Sequence, residues 1–181
     1  MLSQYESKME KAVDSLKSEY ASIRAGRANP HILDKLRVDY YGSPTPIQQV
    51  ANVTVPEART LMITPWESSL IKEIEKAIIC SDLGVSPNND GKNVIINFPE
   101  LTEDRRKEIA KDIKKKGEAA KVVVRNVRRD ANDALKKMNK GNELSEDELK
   151  TNEDKVQKLT DKYVADIDKA IDEKTKEILT V

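Results

Sequence analysis

Ile113, Ala120, Val124, Val127, Ala131, Leu135 and Met138 repeat at helical spacing along a stretch from Thr102 to Lys140 that contains no proline. A helix over 102–138 would be about 55 Å long at ~1.5 Å per residue. Its apolar side is one narrow stripe, which only partners of similar length can cover. The chain supplies two. Leu2, Tyr5, Met9, Ala12, Leu16, Tyr20 and Ile23 recur at steps of three and four, in a helix that must stop before Asn29-Pro30. Leu149, Val156, Leu159, Tyr163, Ile167, Ile171 and Ile178 form the third stripe. It opens on Ser145-Glu-Asp-Glu148, a capping box, just after the helix-stopping pair Gly141-Asn142. Thr102 is the expected N-cap of the middle run, with Glu103 and Asp104 favouring its dipole. Three such stripes bury one another as a three-helix bundle.

Residues 31–100 follow different rules. Leu36–Tyr41, Val50–Val55, Arg59–Ile63 and Asn93–Phe98 are short, β-branched or alternating, and bounded by turn residues such as Gly42-Ser-Pro-Thr-Pro46. One helix fits between them, from about Glu67 to Ser81, with Gly84 closing it. The expected fold class is therefore α+β. An elongated three-helix bundle (1–29 and 102–181) carries an inserted small β/α/β domain (30–101). The two chain crossings lie at Asn29, Pro30 and His31 and at Pro99, Leu101 and Thr102, and paired, proline-flanked connections suit a hinge.

Composition narrows the function. Charged residues are 35% of the chain and aromatics 4%, which suits solvated helices. No apolar run reaches the ~20 residues of a membrane span, and the N-terminus does not read as a targeting peptide, so the expected location is cytoplasmic. Cys80 is the only cysteine, which leaves no internal disulfide and no multi-cysteine zinc site. On the apolar side of its short helix it reads as a small core residue. His31, the only histidine, has no evident triad partner, and Trp66 reads as a cap on the small domain or as half exposed. No Gly-rich phosphate loop occurs. The chain is read as a non-enzyme without metal or cofactor.

The formal net charge of zero conceals an asymmetry. Residues 102–141 carry 14 basic and 7 acidic side chains, a net +7, whereas 142–181 carry 7 and 12, a net −5. Stepping ~100° per residue from Val124 puts Lys114, Lys121, Arg125, Arg128, Arg129 and Lys136 on one flank of the helix. Most helix charge runs are simply solvated faces. Three closely spaced arginines favour RNA instead, because guanidinium forks match phosphate oxygens and stack on bases.

Four stretches carry a family resemblance: Ile23-Arg-Ala-Gly-Arg-Ala-Asn-Pro30, Asp39-Tyr-Tyr-Gly-Ser-Pro-Thr-Pro46, Leu101-Thr-Glu-Asp-Arg-Arg106 and Val124-Arg-Asn-Val-Arg-Arg-Asp-Ala-Asn132. From end to end and in order, the chain resembles the ribosome recycling factor family. It departs from the usual pattern at Val85-Ser86-Pro87 and Val94-Ile95, both in the small domain. The resemblance implies an L-shaped, two-domain, monomeric translation factor that binds the large ribosomal subunit through ribosomal RNA where tRNAs would sit. With elongation factor G and GTP it would split the post-termination ribosome, releasing mRNA and tRNA, the small domain moving on its hinge. It also implies RNA contacts at Arg125, Arg128 and Arg129, with Lys121 on the same ridge, and roles for Arg24, Arg27 and Arg106. The alternative reading is a helical interaction scaffold whose basic ridge docks an acidic protein.

Overall fold

The structure, a computed structural model, describes residues 1–23 and 27–180. The chain divides into two compact units, Met1–Tyr20 with Arg106–Thr180, and Ala21–Arg105.

The first unit is built from α1 (Leu2–Ala21), most of α4 (Glu103–Lys140) and α5 (Glu146–Leu179). Each buries a single stripe: Met9, Val13, Leu16 and Tyr20 in α1; Ile113, Val124, Val127, Ala131 and Leu135 in α4; Val156, Tyr163, Ile167 and Ile178 in α5. All three pairs of helices touch. Glu19 pairs with Lys116 at 3.6 Å, Arg128 reaches Gln157 at 3.2 Å, and the Tyr163 hydroxyl meets Glu6 at 3.5 Å.

The helix ends follow their local chemistry. Thr102 Oγ1 accepts from Arg105 N–H at 3.2 Å and caps the start of α4. At its other end Asn142 N–H donates to Asn139 O and Glu143 N–H to Met138 O, the paired bonds of a Schellman stop. Asn142 takes the left-handed conformation there, with φ +58°. The capping box forms: Ser145 Oγ accepts from Glu148 N–H, and the Glu148 carboxylate accepts from Ser145 N–H. The Ser145 N–H and hydroxyl, both donating to that carboxylate, hold the Glu148 carboxyl below its usual range.

One contact in the bundle reaches the helix backbone itself. The Tyr20 hydroxyl donates to the carbonyl of Ile113 and takes a hydrogen bond from the Gly117 N–H, inserting into the backbone ladder of α4. A Cβ on Gly117 would stand 2.3 Å from Ile171 Cδ1 and 3.0 Å from Tyr20 Oη, so at this level the three helices meet over bare backbone. Burial, helped by the neighbouring Glu19 charge, pushes the Tyr20 hydroxyl up to about 12.

In the second unit a four-stranded antiparallel sheet runs in the order β3 (Ala51–Glu57), β4 (Thr60–Pro65), β6 (Val94–Asn97), β5 (Pro87–Asn89). The helix α3 (Ile71–Ile79) packs on it, burying Ile71, Ile74 and Ile78 against Leu61, Ile63, Val94 and Ile96. A hairpin of β1 (Arg37–Tyr40) and β2 (Ser43–Pro46) leads into one turn of helix, α2 (Ile47–Val50).

Three expectations are corrected. Ser43–Pro46, read as turn residues, is a strand paired with β1 from Asp39↔Pro44 to Arg37↔Pro46. A two-stranded ribbon tolerates proline because each strand has a free edge. The helix expected from Glu67 begins as a short 3-10 turn, Ser68–Leu70, and becomes α-helical at Ile71. Cys80 is exposed, since it caps the C-terminal end of α3 beyond the buried stripe.

Candidate nucleic-acid interface

The basic flank of α4 exists, and it is graded. Its inner edge lies about 40–60° from Val124 and its outer edge about 100–140°. Lys121 is at the inner edge, with only 11% of its side chain exposed; its Nζ pairs with Glu118 at 3.2 Å and with Asp168 of α5. The hydrogen bond to Asp168 raises the Lys121 pKa against the opposing effect of burial. Arg128, also at the inner edge and half-buried, donates to Gln157 Oε1 at 3.2 Å, and the Gln157 amide donates in turn to Asp161 at 2.8 Å.

Arg125 and Arg129 form the outer edge. Both are exposed, and neither meets an acid within ion-pair distance among the described residues. Two apolar side chains of α4 are exposed as well: Val122, beside the outer edge, and Val123, on the opposite flank of the helix. Of the three consecutive valines only Val124 is in the seam. The geometry therefore supplies two outward guanidinium forks and a third held from behind by α5, an arrangement suited to oxyanions and stacked bases.

The remaining residues singled out from sequence lie elsewhere. Arg106 is half-buried near the start of α4, and Arg27 is exposed. Arg24 lies outside the described residues. The crossings are tied into the second unit. Asn29 Nδ2 donates to Ala21 O at 2.7 Å, and its Oδ1 accepts from His31 N–H, capping a 3-10 turn over Pro30–Leu33. Ala28 N–H donates to Ala58 O and Phe98 N–H to Arg59 O, so both connecting segments are stitched to the same β3–β4 turn. The His31 imidazole faces Asp34 at 3.0 Å in an exposed pair. Pro99 and Thr102 are exposed and Leu101 is half-buried.

No group of three or more metal-binding side chains occurs among the described residues, and no helix of theirs is long and apolar enough to cross a membrane. Sequence reasoning missed two features. Gly117 sits at the centre of the α4 stripe, where its helical phase could have revealed it. A cluster of Tyr40, Tyr41, Trp66 and Glu67 in the second unit had no sequence signal, since its members come from separate elements.

Comparison with known proteins identifies the family. The family model described as ribosome recycling factor matches residues 16–179. The ribosome-recycling factor of Lachnoclostridium phytofermentans is 67% identical over 177 residues, covering 98% of this chain and 96% of that protein. That of Geobacillus kaustophilus is 56% identical over 181 residues, 100% of this chain and 98% of its own. A solution structure of the ribosome recycling factor superimposes with a TM-score of 0.82 at 38% identity, covering 99% of this chain and 95% of that one. A second structure gives a TM-score of 0.66 at 44% identity, covering 98% and 96%. It belongs to models of the Thermus thermophilus factor and Escherichia coli elongation factor G bound to the E. coli post-termination complex. With the profile and the relatives matching along nearly its whole length, this chain belongs to the ribosome recycling factor family, whose members are non-enzymatic translation factors.

Proposed function

We propose that this protein recycles ribosomes in the cytoplasm as a monomer. It binds the large subunit of the post-termination ribosome through ribosomal RNA and, with elongation factor G and GTP, separates the subunits, freeing mRNA and tRNA. The observation that carries the reading is full-length membership of the family together with the arginine flank of α4. Arg125, Arg128 and Arg129 supply the RNA contacts. Lys121 sets the spacing of α4 and α5 through Asp168 and adds positive potential from behind. Arg24, Arg27 and Arg106 contribute nearer the crossings. Residues 30–101 form the part on which elongation factor G acts, and the segments Asn29–His31 and Pro99–Thr102 are its hinge.

The test is sedimentation of the protein with purified ribosomes, with and without elongation factor G and GTP. Arg128→Ala should weaken binding by about 1–3 kcal/mol and lower the salt slope by about one. Unchanged affinity in the folded variant removes Arg128 from the interface. Replacing 30–101 by a short Gly/Ser linker should preserve binding and abolish splitting. Splitting at the full rate would show that the small domain is not the moving part.

A further inference from the structure

Aromatic residues are scarce in this chain, yet two of the largest stand in solvent on one side of the second unit. Tyr41 is 83% exposed and Trp66 is 71% exposed. Neither is loosely placed. Trp66 N–H donates to Val50 O at 3.1 Å, which fixes its backbone at the end of α2. Tyr41 occupies the two-residue turn between β1 and β2 with φ +50°, a conformation that a bulky side chain rarely takes, next to Gly42 at φ +82°. A turn of this kind is ordinarily built from Asn, Asp or Gly, so a tyrosine held there points to a use for the ring.

Glu67, the residue after Trp66, holds Tyr41 and its neighbour Tyr40. Its Oε1 accepts from the Tyr40 hydroxyl at 3.2 Å and its Oε2 from the Tyr41 hydroxyl at 3.0 Å. The carboxylate and its charge raise the pKa of both tyrosines, so both stay protonated donors. Tyr40 and Tyr41 meet edge to face, with ring centroids 4.7 Å apart. Beside them is a cleft of about 300 Å³ lined by Tyr40, Gln49, Val50, Trp66 and Glu67 among others. Glu67 is the only charged residue in that lining. Residues 30–101 carry 6 basic and 9 acidic side chains, so the surroundings are acidic as well.

A carboxylate fixed by two hydroxyl donors and flanked by aromatic faces attracts a flat cation. The faces offer stacking and cation–π attraction, and the carboxylate keeps unused lone pairs for a guanidinium fork. The same carboxylate repels phosphate, which separates this surface from the arginine flank of α4. We propose that the Tyr40–Trp66–Glu67 cleft receives an arginine side chain from an extended basic segment of a protein partner. The small domain thereby has an anchoring point of opposite sign to the RNA-binding flank.

Trp66 is the only tryptophan in the chain, so its emission in the full-length protein reports on the cleft directly. The probe is an octapeptide of alternating arginine and alanine, compared with the same peptide carrying citrulline or glutamate, and with an oligouridylate. The arginine peptide should give a saturable change in Trp66 emission, and the glutamate peptide none. Glu67→Gln should weaken binding by on the order of tenfold, with unaltered circular dichroism. Tyr41→Phe, which frees one carboxylate oxygen, should change affinity less. Equal binding of the citrulline peptide, no loss in Glu67→Gln, or no saturable response to arginine overturns the proposal. Preferential binding of the oligouridylate would make the cleft a base-stacking surface instead. Because the readout needs no ribosome, its failure leaves the recycling reading untouched.

Discussion

The two units solve the problem of a small core in opposite ways. In the sheet unit, buried side chains from β1, β3, β4, β6 and α3 join one continuous cluster, and function is left to a turn and a loop, where Tyr41 and Trp66 project. In the bundle each helix buries one stripe, leaving most of its circumference in water. That geometry frees a whole flank of α4 for arginines, and it concentrates stability in a seam where single residues have no redundancy. A thick core tolerates local error and displays function at its edges. A thin one displays function along its full length and depends on a few contacts.

Substitutions can sharpen or break this contrast, beginning with the seam itself. Val124→Asp places an unpaired charge at a fully buried position and should cost roughly 3–5 kcal/mol or more. Urea unfolding followed by circular dichroism should show the helices lost early, while Trp66 emission keeps its original midpoint. Coincident transitions would mean that the units unfold as one, and the comparison would fail. The adjacent Val123→Asp, on an exposed position, should stay within about 0.5 kcal/mol.

Gly117→Val comes next, at about 3 kcal/mol, because its Cβ overlaps Ile171 and crowds Tyr20. Gly117→Ala should cost less, since a swing of the Ile171 side chain relieves part of the overlap and alanine favours the helix by up to ~1 kcal/mol. A neutral valine variant would show that the helices have slack there.

Tyr20→Phe leaves the Ile113 carbonyl without its added donor and should cost about 1–2 kcal/mol. It also carries a pH signature. The folded-state pKa is raised, so the hydroxyl's contribution is fully present below the ordinary value near 10 and is lost as pH climbs toward about 12. The parent bundle should weaken over that window more steeply than Tyr20→Phe; parallel alkaline profiles would remove Tyr20 as the cause.

A smaller loss belongs to Ser145→Ala, about 1 kcal/mol for removal of the cap on α5. Glu148 titrates low in the folded state, so the capping contribution is present above the ordinary carboxylate range and fades as pH falls through the depressed value. Thermal melts at descending pH should show the difference between parent and variant shrinking.

These cases also mark what could be read from the sequence. The bundle was legible because a helical stripe, a capping box and a Gly-Asn stop are local signals that survive without knowledge of the partner. The arginine flank followed from phase alone. Phase sets the angles of its two edges but not their partners: Lys121 and Arg128 are held by Asp168 and Gln157 of α5, more than 25 residues along the chain. β2 and β5 were hidden because proline and asparagine read as turns. Gly117 was hidden because a contact made by the absence of a side chain carries no apolar signal. The Glu67 cleft needs a β-turn and a loop 26 residues apart in sequence to meet.

The antiparallel neighbours α4 and α5 have a consequence for how the molecule approaches a polyanion. The stretch holding α4 is net +7, the stretch holding α5 is net −5, and the whole chain is neutral. A neutral body feels little net pull in a distant field, but a separated pair of charges feels a torque. Within the Debye length of about 8 Å at physiological ionic strength, an RNA surface would turn the bundle before drawing it in, with α4 leading and α5 trailing. Collisions in the wrong orientation are then rejected by α5 rather than merely unrewarded, so the charge pattern filters orientation without adding non-specific affinity for every nucleic acid in the cell.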